Sequence, residues 1–182
     1  MYTATEYICT PDLFAGAVPL QPLNSFFLLI FFKGALLMQL YFQNSFVKLS
    51  YDKHLQLGKA EWRGRLQGAE LREAYLLCHE MINRFSLVRW LADDRLMGSV
   101  SPADLKWSLE VHVPQMAKSS LKRLARIPSQ FEENRKAVEV MINKGYTFDL
   151  SLILRDFMHL EEAMEWLLEP SEMAVPQNRF AT

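Results

Sequence analysis

The chain has 182 residues, 50% of them hydrophobic, and a formal net charge of -1. That suits one ordinary globular domain and argues against a nucleic-acid binder, because neutralising phosphates takes a basic face. The two cysteines, Cys9 and Cys78, form no CxxC motif, and the seven glycines form no phosphate-cradling loop. A reducing, cytoplasmic setting is therefore expected, without disulfide, bound metal or cofactor.

Phe26–Phe42 (FFLLIFFKGALLMQLYF) is a nearly continuous apolar run with Lys33 near its middle. A membrane helix needs about 20 apolar residues. A central lysine costs about 2.5–3.5 kcal/mol on insertion, and about eleven Leu, Ile and Phe residues at roughly 0.3–0.6 kcal/mol each return about 3–6 kcal/mol. Insertion is marginal, so a membrane role requires that the run be retained and insert. Lys48 and Lys53 would then keep the following domain in the cytoplasm, anchored to the membrane. A secretory signal fits poorly, since no basic residue precedes Lys33 and Glu6 and Asp12 are acidic. Met38 stands just before what reads as the opening of a folded domain. Residues 1–37 are thus expected to be an upstream extension outside the native product, with an anchor or a segment packed onto the domain as alternatives.

Phe46–Tyr51 and Leu55–Trp62 alternate apolar and polar residues around Asp52, Lys53 and His54, which predicts a hairpin. After Gly64 and Gly68 comes an amphipathic helix. Its inner stripe is Leu71, Ala74, Tyr75, Cys78, Met81, Ile82 and Phe85; its outer face carries Arg72, Glu73, His79, Glu80 and Arg84. Leu87–Ala92 is short and apolar, as a central strand covered on both faces should be, and it runs out into Asp93, Asp94 and Arg95.

Ser101, Pro102 and Asp104 mark the next helix start. Leu105, Leu109, Val113, Met116 and Ala117 give it an apolar face, and Pro114 should kink or divide it. Leu121–Ile127 reads as a strand with Lys122, Arg123 and Arg126 at an edge or in solvent. Phe131–Asn143 reads as a helix with Phe131, Val138, Met141 and Ile142 inward. Tyr146–Phe157 should contain extended structure, and Leu160–Leu168 a closing helix with Glu161, Glu162 and Glu165 outward. Residues 169–182 read as a loose tail. A hairpin followed by βα repeats, with about four helices, predicts an α/β fold built on a mixed sheet.

Several motifs in this order carry a family resemblance: Trp62–Gly64 (WRG), Trp90–Arg95 (WLADDR), Ser101–Asp104 (SPAD) with Trp107, Val113–Pro114, and Glu161–Leu167 (EEAMEWL). Together they resemble the STAS/SpoIIAA-like (anti-sigma-factor-antagonist-like) superfamily, and more closely a family of small, uncharacterised bacterial STAS/Sec14-like proteins. The resemblance spans about Gln39 to Leu168, so it implies a STAS/SpoIIAA-like domain over residues 38–168. In the antagonists of that superfamily a serine at the start of the helix after the third strand is phosphorylated. Ser101 holds that place here, with Ser99 nearby. The usual Asp-Ser-Ser-Gly pattern is missing and Pro102 follows directly, so Ser101 reads first as an ordinary helix cap and second as a phosphorylation site.

Asp93 and Asp94 are adjacent on a strand and should point to opposite faces, which makes them a poor pair for acid–base catalysis. His54, His79, His112 and His159 show no metal-ligand spacing. No catalytic or metal-binding residue is expected. The candidate interaction residues are Asp93, Asp94, Arg95, Ser99 and Ser101, with Trp107 lining a pocket beside Asp94 and Arg95. Two functions fit. One is a non-enzymatic intracellular domain acting through contact with an unidentified protein, in a regulatory role. The other is a Sec14-like carrier with an apolar cavity for a small molecule or lipid.

Overall fold

The computed structural model describes residues 38–148 and 151–170. The expected extension, residues 1–37, and nearly all of the expected tail lie outside the described residues.

The alternating first part of the domain forms an antiparallel meander of β1 (Gln39–Gln43), β2 (Val47–Asp52) and β3 (Leu57–Gly64). Side chains fix both turns. Asn44 Oδ1 accepts from the N–H groups of Phe46 and Val47, each at 2.8 Å. Asp52 Oδ1 accepts from those of His54 and Leu55 at 2.8 and 3.0 Å. The expected hairpin is β2–β3. β1 is an additional edge strand, hidden in the sequence because Leu40, Tyr41 and Phe42 run together without alternation. The apolar run Phe26–Phe42 thus gives its last residues to a sheet. Among the described residues no helix is long and apolar enough to cross a membrane.

The remaining elements are α1 (Ala69–Phe85), β4 (Arg89–Met97), α2 (Pro102–Trp107), a π turn (Ser108–His112), α3 (Val113–Ala117), β5 (Arg123–Ile127), α4 (Glu132–Gly145), β6 (Ile153–Asp156) and α5 (Leu160–Leu168). β3, β4, β5 and β6 pair in parallel, and the six-stranded sheet runs β1-β2-β3-β4-β5-β6. Each crossover steps in the same direction, and crossovers of one hand then place their helices on one face. There α1, the α2–α3 stretch and α4 cover Leu49, Trp62, Trp90 and Leu124. α5 covers the other face, packing Ala163, Trp166 and Leu167 on Leu57, Leu91 and Ile127. The hairpin followed by βα repeats is the mixed α/β architecture expected.

Local signals explain the ends. α1 stops where Ser86 turns left-handed (φ 48°) and Leu87 N–H reaches back to the Ile82 carbonyl at 3.0 Å. Pro114 has no N–H to donate, and the chain widens into the π turn just ahead of α3 rather than breaking. The C-terminal carbonyls of α5 are held from the sheet. Arg89 Nε donates to Leu167 at 2.7 Å, and Arg123 Nη1 to Trp166 and Glu169, each at 2.8 Å.

Three placements correct the sequence expectation. His79 is buried at 6% exposure, because α1 packs on the π turn as well as on the sheet and so hides a wider stripe. Phe131 stands at the N-cap of α4 and is 42% exposed. β5 is an interior strand, so Arg126 lies neither at an edge nor in solvent but is buried.

Gly58 marks the tightest approach in the sheet: a Cβ there would stand 2.5 Å from the Trp90 ring. Gly58→Ala should cost about 1–3 kcal/mol by overpacking. Gly145→Ala, whose nearest neighbour is Val113 at 4.0 Å, should be neutral or stabilising by up to about 1 kcal/mol. Urea unfolding of both variants checks the contrast; equal midpoints would contradict it.

Candidate functional site

Between the sheet and its three-helix face lies a cavity of about 150 Å³. Trp62, Trp90, Met97 and Leu124 line it from the sheet side, and Met116 and Met141 from the helices. Five polar side chains also line it: Asp94 and Arg126 from the sheet, and Tyr75, Cys78 and His112 from the helix side. The lining reaches the surface at Tyr146, which is 68% exposed.

Asp94 reaches the cavity by the strand alternation Trp90, Ala92, Asp94, and a β-bulge then shifts the phase. Glu61 pairs with Asp93 and Arg63 with Leu96, so Asp94 and Arg95 together oppose Trp62 alone. As expected, the two carboxylates part. Asp94 turns to the cavity, while Asp93 is gripped by Arg95, whose Nε and Nη2 donate to its two oxygens at 2.8 and 2.6 Å. Burial pushes the Asp93 carboxyl up, but the bonds and charge of Arg95 more than offset this and hold it below the ordinary carboxylate range. Asp93 and Arg95 therefore form a closed pair, with the arginine half exposed.

Asp94 has no such partner. It is 6% exposed and makes no side-chain hydrogen bond among the described residues. Burial pushes its carboxyl up to about 7; Arg126 opposes the shift, and Asp93 and Asp156 add to it. Arg126, 7% exposed, donates from Nε to Asp156 Oδ1 at 2.8 Å and from Nη2 to Asp156 Oδ2. Its Nη1 is buried without an acceptor. The lining thus brings together a carboxyl whose titration burial raises into the neutral range and an arginine whose Nη1 is buried without an acceptor.

On the opposite wall, His79 Nε2 and His112 Nδ1 stand 3.0 Å apart, and the His112 ring stacks on Tyr75 at 3.9 Å. Burial holds His79 down to about 4 and His112 to about 3, the latter also lowered by His79, so both rings are neutral at physiological pH. Burial and the nearby Asp94 raise the Cys78 thiol, leaving it protonated and unactivated. Among the described residues no cluster of three His, Cys, Asp or Glu side chains could hold a metal ion.

Ser101 caps α2. Its Oγ donates to Asp104 Oδ2 at 2.7 Å and accepts from Asp104 N–H at 3.2 Å, and Asp104 also accepts from Gly68 N–H at 2.9 Å and from Arg72. Ser99 is half-buried in the preceding loop. Trp107 lies under Arg72 and parallel to Tyr75, outside the cavity lining, and Arg95 projects from the other face. Of the candidates named from sequence, only Asp94 lines the cavity. Arg126 and His112 also line it without having been candidates, and His79 stands behind His112. Leu71, Tyr75 and His79 follow at i, i+4 and i+8, and Leu124 and Arg126 alternate on a strand with both faces covered; these were the available signals.

The chain matches no protein-family model and no curated protein. Its fold is similar to the crystal structure of an uncharacterized DUF3478-family protein with a SpoIIAA-like fold from Shewanella loihica PV-4. The two are 16% identical, the match covers 71% of this chain and 91% of that one, and the TM-score is 0.43.

Unfolded Asp94 loses its proton above about 4, whereas the folded protein keeps it to about 7. Its contribution to stability therefore falls as pH rises through that window and stays lost above it. Asp94→Asn should be more stable than the parent at pH 8, by on the order of 3 kcal/mol, and indistinguishable near pH 4. Urea titrations at the two pH values test this; equal stabilities at pH 8 would remove the unpaired carboxyl from the account. The histidines act in the opposite sense, withdrawing stability as pH falls below about 6.5.

Proposed function

We propose that this chain is a non-enzymatic SpoIIAA/STAS-like domain that encloses a small, largely apolar molecule, in the manner of a Sec14-like carrier. One observation carries the reading: a cavity walled by tryptophan, methionine and leucine is also lined by Asp94 and Arg126, and among the described residues Asp94 makes no side-chain hydrogen bond while the buried Arg126 Nη1 has no acceptor. Unmet buried polar groups cost stability, on the order of 1–3 kcal/mol each, and an apolar pocket with a few convergent polar groups is the usual form of a small-molecule site. The volume is about that of engineered apolar cavities that take up a benzene ring. The remaining polar groups supply recognition, not catalysis. The thiol of Cys78 is protonated, and the histidines are paired with each other rather than with a nucleophile.

The second reading is contact with a protein partner through the end of β4. Its support is the exposure of Leu96, 52%, beside the half-exposed Arg95. Loss of a captured partner on joint Arg95→Ala and Leu96→Ala replacement, with Asp94→Asn having no effect, would favour it.

Native mass spectrometry of the full chain purified from its own host should show a noncovalent adduct that denaturation releases. Ala92→Leu, which fills the cavity from β4, should abolish the adduct while circular dichroism stays unchanged. Apo protein alone, with no thermal shift from benzene or indole, would overturn the carrier reading.

A further inference from the structure

We infer that the ligand is an uncharged aromatic molecule about the size of phenol, carrying one O–H or N–H donor that the carboxyl of Asp94 accepts. The inference rests on the reading of the cavity as a ligand site and names the chemistry of that site.

The polar side chains of the lining differ in what they have left to offer. Arg126 has committed Nε and Nη2 to Asp156, and its Nη1 is enclosed by protein. His112 Nδ1 faces His79 Nε2 at 3.0 Å, so these two nitrogens satisfy each other. Cys78 offers a thiol, a weak partner in either direction. Asp94 is different. It follows Trp90 and Ala92 on the cavity side of β4, is 6% exposed, and makes no side-chain hydrogen bond among the described residues. A carboxyl accepts a hydrogen bond whether it is ionised or protonated, so the place for a donor exists in both states.

The rest of the wall selects the body that carries the donor. Trp62 and Trp90 stand on the sheet side, Tyr75 and His112 on the helix side, with Met116 and Met141 beside them. Aromatic rings receive another ring edge-on or offset, and thioethers settle against ring edges. The wall rings also brace one another. Tyr75 packs on His112 with centroids 3.9 Å apart and on Trp62 at 5.3 Å and 72°. A volume of about 150 Å³ suits a single ring with a small substituent.

Other classes leave a group unmet. A hydrocarbon fills the walls and gives Asp94 no donor. A carboxylate or phosphate sets its oxygens against those of Asp94, while Arg126 is committed to Asp156. An ammonium loses its hydration among apolar walls and meets the Arg126 charge on the neighbouring strand. A neutral O–H or N–H satisfies Asp94 and adds no charge.

Calorimetric titration of the full chain with phenol, toluene and benzylamine at pH 7 tests this. Phenol and toluene share a shape and differ at the donor. A cavity without an acceptor prefers toluene, because burying an unpaired hydroxyl is unfavourable. Here phenol is expected to bind at least about tenfold more tightly than toluene. Asp94→Ala should reverse that order by removing the acceptor, whereas Asp94→Asn, whose amide carbonyl accepts, should retain it. Asp94→Leu, which also lacks an acceptor, takes the place of the alanine variant if that one fails to fold. Toluene or benzylamine binding as tightly as phenol would overturn the neutral-donor assignment and leave the ligand site standing. An order that survives removal of the acceptor would do the same. Failure of all three to bind, at concentrations that saturate comparable cavities, would remove the ligand site with it.

Discussion

β4 has packed elements on both of its faces, and most of the domain follows from that constraint. A strand in this position cannot turn a polar side chain to water; each residue must enter one of two interiors. Trp90, Ala92 and Asp94 enter the cavity beneath the three-helix face, and Leu91 enters the core under α5. Asp93 takes the second route and survives because Arg95 reaches back to it with two bonds. The bulge opposite Trp62 supplies the extra residue that places Arg95 there, and Met97 returns to the cavity wall three residues after Asp94. One inserted residue thus separates a closed ion pair from an open carboxyl.

The contrast between Asp94 and Asp104 shows what a structural carboxylate looks like here. Asp104 is buried at 2% exposure, and burial by itself would push its carboxyl up. Bonds from Gly68 N–H, Ser101 and Arg72 reverse that and hold it below the ordinary carboxylate range. These bonds tie the start of α1 to the start of α2, which fixes the connection that carries the π turn. The π turn in turn sets His112 against Tyr75 and His79. Asp104 is saturated and organises the fold. Asp94 is buried too, at 6% exposure, and receives no side-chain hydrogen bond among the described residues.

Element order and most boundaries were legible in the sequence because amphipathic periods, capping residues and turn residues act locally. Leu160–Leu168, the hairpin alternation and Ser101 with Pro102 are examples. β1 was not, because an edge strand with three successive apolar residues has no period to read. The parting of Asp93 and Asp94 followed from the pleat, but which of the two would find a partner depended on the bulge, and a bulge has no sequence signature. The site was legible by one residue. His79 and His112 are 33 positions apart and meet only through packing. Arg126 was read as solvent-exposed because basic residues usually are; recognising it as buried required knowing that β6 pairs outside β5 and supplies Asp156.

The cavity is electrically balanced in spite of its polar groups. Arg126 and Asp156 cancel, burial favours the protonated form of Asp94, the paired histidines stay neutral, and burial keeps Tyr75 and Cys78 protonated. Apart from the Arg126–Asp156 pair, these states are set by burial and not by a dedicated counter-ion. Neutrality is what allows an apolar wall to persist around polar atoms, since an uncompensated charge at this depth would draw in water or unfold the wall. The same balance makes the cavity responsive. Among the groups that line it, one has its titration raised by burial into the neutral range. That group is Asp94, which the pleat of β4 delivers to the cavity just before the bulge.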